Sequence, residues 1–63
     1  MQIGLSIREL RLKRGLSTKQ LSVKSGLSVD VIIDIETGFV TPSIVQAQQL
    51  LRPLEAKLMI KEE

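Results

Sequence analysis

Basic and hydroxyl side chains supply most of the chemistry this chain offers, and the cations gather in its first half. Residues 1–26 hold Arg8, Arg11, Lys13, Arg14, Lys19 and Lys24 against a single acid, Glu9. Residues 27–63 hold Arg52, Lys57 and Lys61 against Asp30, Asp34, Glu36, Glu55, Glu62 and Glu63. The formal net charge of +2 therefore combines a basic half with an acidic one. Cations grouped this way suit a surface of phosphates; they serve equally as a solvated helix face, and both readings stay open at this level. Catalysis is poorly supplied. There is no His, Cys or Tyr, and Phe39 is the sole aromatic residue. A base or nucleophile would have to come from Ser, Lys or a carboxylate in a pocket that tuned it, which so short a helical chain seldom builds. No enzyme, cofactor or metal site is expected.

The elements that position these groups are organised around Leu16–Gly38, LSTKQLSVKSGLSVDVIIDIETG. This stretch contains two helix starts of the same kind, each a Leu-Ser step before an apolar-periodic run. Ser17 opens Thr18–Ser25, with Gln20 three residues on to return a bond to the cap. Ser28 opens Val29–Thr37. Between them, Ser25-Gly26-Leu27 is short enough only for a tight turn with Gly26 left-handed. Two short helices joined through such a turn make a helix-turn-helix, whose second helix enters the major groove of DNA.

Upstream, Met1–Gly4 reads as a loose lead-in. A first helix runs from Leu5, capped by Ser6 with Glu9 completing a capping box, and Gly15 stops it. In the third helix, Val31, Ile32 and Ile35 form the expected buried stripe, leaving Val29, Asp30, Ile33 and Asp34 on the other side. Its β-branched content gives it weak intrinsic propensity, so packing must hold it. After Gly38 and the apolar loop Phe39-Val40, Thr41 followed by Pro42 predicts the cap and first position of a fourth helix. Ile44, Ala47, Leu50 and Leu51 face inward there, and Pro53 ends it near Leu51.

The tail changes period. Leu54, Ala56, Leu58 and Ile60 alternate with Glu55, Lys57, Met59 and Lys61, the pattern of a half-buried strand. A lone strand leaves an unpaired edge, which the same strand of a second copy would satisfy about a two-fold axis. A short fifth helix, with Leu54, Leu58 and Glu62 at spacing four, is the competing reading. The chain is thus expected to be a single all-α domain over 1–63. It would have a helical core over 5–51 and a dimerisation strand over 54–61 in which Leu54, Ala56, Leu58 and Ile60 form the interface. Small size without disulfides favours oligomerisation. No charged-then-apolar leader and no apolar run of 18 residues is present, so a cytoplasmic protein with no membrane partner is expected.

The strings IRELRLKRGLSTKQL, SGLSVDVIIDIETG and TPSI together resemble the lambda Cro/repressor (XRE-type) helix-turn-helix family. The features in register are Arg14-Gly15-Leu16-Ser17, Leu21, Gly26-Leu27-Ser28, Ile32, Ile35-Glu36, Gly38 and Pro42. The ending LLRPLEAKLMIKE is similar to that of HipB-type antitoxins, in which a C-terminal strand pairs across the dimer. The resemblance implies a four-helix lambda-repressor-like fold and a structural salt bridge between Arg11 and Glu36. It implies phosphate contacts from Ser17, Thr18, Lys19 and Lys24, and base contacts from Ser28, Val29, Asp30, Ile33 and Asp34. The residue after the capping Ser is usually Gln in the family, and Thr18 is a shorter donor. None of the bidentate purine readers stands at the base-contacting positions.

Two functional readings follow. In the first, the chain is a homodimeric, sequence-specific regulator, a repressor or antitoxin-like autoregulator, that binds an operator in double-stranded DNA. In the second, it keeps the fold without specific readout and binds a protein partner, such as a toxin, through Val29, Ile33, Phe39 and Val40. A membrane-surface role for the first helix is disfavoured because that helix is short and has no aromatic anchor.

Overall fold

Each of the four expected helices is present in the computed structural model, which describes residues 3–55. They are α1 (Ile3–Lys13), α2 (Thr18–Ser25), α3 (Val29–Glu36) and α4 (Ile44–Leu51). Every helix contributes to one core. Ile7 of α1, Leu21 of α2, Ile32 and Ile35 of α3, Leu50 of α4 and Leu54 beyond it are fully buried, with Ala47 and Leu51 nearly so. Each of these buried side chains matters. Truncating one to Ala costs about 2–5 kcal/mol, comparable to the whole stability of a small domain.

Local signals explain where α2 and α3 begin. Ser17 accepts from the Gln20 N–H at 3.0 Å while its own N–H donates to Gln20 Oε1 at 2.8 Å, so the capping box is complete. Ser28 caps α3 by accepting from the Val31 N–H at 3.2 Å. Leu16 and Leu27 each precede one of these caps and pack half-buried against the core, in the position from which an apolar residue fixes the entry of the chain. Five of the eight α3 residues are β-branched, and the helix is held as expected by its packing on α1 and α2.

The third helix ends one residue before the expected Thr37, which is its C-cap, and three larger differences from the sequence expectation follow. The first helix starts at Ile3, so Ser6 lies inside it and is not its cap. The reason is tertiary. Gly4 is buried where α1 meets the end of α3, and a Cβ at this position would overlap the Ile35 carbonyl oxygen. The fourth helix is capped by Ser43 instead of Thr41. Ser43 accepts from the Gln46 N–H at 3.1 Å and donates its own N–H to Gln46 Oε1 at 3.0 Å. Three residues after Thr41 stands Ile44, which cannot return the bond, so the two-sided cap wins. Ile44 itself is 60% exposed, because the neighbouring helices cover the α4 stripe only from Ala47 onward.

The third difference concerns Leu54. It was expected to open the dimerisation strand, but Arg52–Glu55 forms a turn. The Leu54 N–H reaches the Leu51 carbonyl at 3.1 Å, the Glu55 N–H reaches that of Arg52 at 3.1 Å, and Glu55 adopts a φ of 57°. The Leu54 side chain fills the core of its own chain, which removes it from any interface strand. Its carbonyl accepts from Arg14 Nε at 3.1 Å, tying the end of α1 to the end of α4. Ala56, Leu58 and Ile60, together with both readings of the tail, lie outside the described residues. Among the described residues, no helix is long and apolar enough to cross a membrane.

Candidate nucleic-acid interface

The turn between α2 and α3 sets the relative position of the two helices, and serines close it. Gly26 is left-handed, with φ 81°, and its N–H donates to the Ser22 carbonyl at 2.9 Å. Ser22 Oγ donates to the Leu27 carbonyl, and the Leu27 N–H donates to Ser25 Oγ at 3.2 Å. Sequence spacing marks Ser22 and Ser25 only as small residues that permit close approach. Their hydroxyls in fact satisfy the backbone groups that a three-residue turn would otherwise leave without partners.

A buried ion pair anchors this unit to α1. Arg11 Nε donates to Glu36 Oε2 at 2.8 Å and its Nη2 to Oε1 at 3.0 Å, while Nη1 donates to the Leu16 carbonyl at 2.9 Å. One guanidinium thereby fixes the end of α3 and the lead-in to α2 against α1. Both residues are 8% exposed. The hydrogen bonds to Glu36 raise the Arg11 pKa, against the opposing effect of burial. Arg11 remains charged throughout the neutral range.

At the start of α2, Ser17 and Lys19 are exposed and Thr18 is half-buried; Lys24 is exposed in the last turn. The first turn of a helix directs backbone N–H groups outward, which suits an anion. On α3, Ser28, Asp30 and Ile33 are exposed, whereas Val29 and Asp34 are half-buried. Ile32, Ile35 and Glu36 form the opposite, buried side. The spacing of 30, 33 and 37 extends the outer side to Thr37, which is also exposed. Sequence reasoning omitted Thr37 because it stands at the helix end. Its hydroxyl donates inward to the Ile33 carbonyl at 2.8 Å.

The outer side of α3 is acidic and aliphatic, and six of the nine basic residues precede it in the chain. Asp30 sits in the first turn of α3, where a carboxylate favours the helix dipole. Its negative charge opposes approach of a polyanion. The loop after α3 adds no cation: Phe39 is 84% exposed and Val40 43%.

The four helices of the described residues, with a tight, serine-closed turn between the second and third, define a helix-turn-helix protein. Residues 7–58 match the helix-turn-helix family model, and the chain belongs to this family, as an XRE-type DNA-binding domain. No curated protein and no solved structure matches the chain.

Proposed function

We propose that the chain is a sequence-specific transcriptional regulator, either a repressor or an antitoxin-like autoregulator, that acts as a homodimer on operator DNA. The observation that carries this reading is the outer side of α3, where Ser28, Asp30 and Ile33 stand exposed, next to a capped α2 bearing Lys19. In this reading α3 lies in the major groove. Ser28, Val29, Asp30, Ile33 and Asp34 meet base edges, and Ser17, Thr18, Lys19 and Lys24 meet phosphates. Residues Ala56, Leu58 and Ile60 carry the contact between two copies, which sets two half-sites about one helical turn apart. The chain is not an enzyme in this reading. The open groove between the start of α1 and the α3–α4 loop has Arg8 and Glu36 as its titratable lining groups, and Glu36 is already engaged by Arg11.

A specific observation favours a second reading. No charged residue occurs between Glu36 and Arg52, and Phe39, Val40, Ile44 and Val45 in that interval are all exposed. An uncharged apolar surface of this kind suits a protein partner, such as a toxin.

A salt-titrated binding assay, comparing DNA upstream of the protein's own coding sequence with random duplex, separates the two readings. The regulator binds its own DNA well above random duplex and loses affinity steeply as salt rises. Equal affinity for the two duplexes would overturn the regulator reading in favour of the protein-partner one.

A further inference from the structure

We infer that α3 selects its site through the methyl groups of thymine and the amino group of cytosine, with no contribution from purine-reading side chains. The inference rests on the reading of α3 as the recognition helix and names what that helix reads. The outer side of α3 offers two aliphatic residues, Val29 and Ile33, and two carboxylates, Asp30 and Asp34. The hydroxyls nearby make no two-bond purine contact. Thr37 Oγ1 donates to the carbonyls of Ile33 and Asp34, and Ser28 Oγ accepts from the Val31 N–H, which leaves Ser28 a single O–H donor where bidentate purine reading needs two groups.

Base-edge chemistry then eliminates most partners. Guanine presents two acceptors, N7 and O6, to the major groove, and a carboxylate opposite them is repelled. Adenine presents a donor beside an acceptor, which suits Asn or Gln, and α3 has neither. Cytosine presents its N4 donor without an acceptor on the same base, the edge that a carboxylate fits best. Thymine presents a methyl group, the one apolar feature in the groove, which matches Val29 and Ile33. Asp30 lies in the first turn of α3 and Ile33 one turn further along. A half-site with thymines beside a C·G pair is therefore the sequence this surface fits.

The test uses the full chain. Sites are enriched from a random duplex library at low salt, and the enriched site is remade with each thymine replaced by deoxyuridine. That change removes one methyl and leaves pairing and backbone intact. At one or more positions in each half-site, affinity should fall about fourfold, the value of one buried methyl-sized group. Ile33 is 43% exposed and outside the core, so Ile33→Ala should fold and bind the thymine and deoxyuridine duplexes alike at its position. Asp30→Ala should lose its preference for cytosine at one position. An enriched site whose affinity is unchanged by every deoxyuridine replacement overturns the inference and leaves the regulator reading intact. If no sequence is enriched at all, the regulator reading fails and the inference falls with it.

Discussion

Arg11 and Glu36 form a two-pronged ion pair, at 2.8 and 3.0 Å, between the last turn of α1 and the end of α3. Its guanidinium also holds the Leu16 carbonyl, and no buried side-chain polar atom among the described residues lacks a partner. Breaking such a pair by removing one partner strands the other, which costs about 3–5 kcal/mol, whereas replacing both with apolar groups is often neutral. Arg11→Met should therefore lose most of the domain's stability in urea unfolding, and Arg11→Met with Glu36→Leu should recover most of it. A single variant that lost under about 1 kcal/mol would show that the pair is not structural. The pair also has a defined pH signature. The folded-state pKa of Arg11 is raised, so the stability that the arginine's charge contributes is present through the neutral range and is lost as pH rises through its folded-state pKa in strong alkali.

Gly4 reverses an ordinary substitution rule. Gly→Ala inside a helix usually stabilises by about 1 kcal/mol through propensity. Here the added methyl would meet the Ile35 carbonyl oxygen, backbone that has no side chain to swing away. Gly4→Ala should therefore destabilise by about 1–3 kcal/mol, as overpacking does. Urea unfolding of this variant beside wild type gives the sign directly, and a gain in stability would show that α1 approaches α3 less closely.

The cap of α4 supplies a matched pair of variants. Ser43→Ala removes the acceptor for the Gln46 N–H and should cost about 1 kcal/mol. Thr41→Ala, outside the helix, should cost almost nothing. Thermal unfolding of the two distinguishes Ser43 from Thr41 as the cap, and equal losses would leave neither as the sole cap.

These cases mark what the sequence conveys and what it does not. The frame of α2 and α3 was legible because its determinants are local: Leu16-Ser17 with Gln20, Leu27-Ser28, and a glycine at 26 that alone tolerates a φ of 81°. The Arg11–Glu36 pair came through resemblance, since nothing in a spacing of 25 residues announces a contact. Gly4 and Leu54 were misread because their surroundings come from distant chain, Ile35 in one case and Arg14 with the core in the other. The outer side of α3 was legible as a list of residue types. Burial then divided that list, leaving Asp30 and Ile33 open and partly withdrawing Val29 and Asp34.

Asp30 should act in opposite directions on folding and binding. Asp30→Ala removes a favourable interaction with the helix dipole and should cost about 0.3–1 kcal/mol of stability. It also removes a negative charge facing the polyanion, so affinity for random duplex at low salt should rise roughly two- to fivefold, with a smaller gain at high salt. Asp34→Ala should follow the same direction for binding. Fluorescence titrations against random duplex at two salt concentrations test this. Unchanged or weaker binding would remove both residues from the DNA-facing side.

Leu54 and the residues after it should separate folding from assembly. Leu54 is fully buried in its own chain, and its carbonyl is held by Arg14. Leu54→Ala should therefore cost about 2–5 kcal/mol and unfold much of the population. A chain truncated after Glu55 keeps every core residue found among the described residues, so its helical circular dichroism and cooperative melt should persist. If Ala56, Leu58 and Ile60 carry the dimer contact, sedimentation of that chain should move toward monomer. Loss of dimer would also weaken operator binding far more than random-duplex binding, because a dimer engages two half-sites together. A truncated chain that stayed dimeric would shift the contact to the uncharged surface of Phe39, Val40, Ile44 and Val45. That surface can meet its own copy about a two-fold axis without like charges opposing.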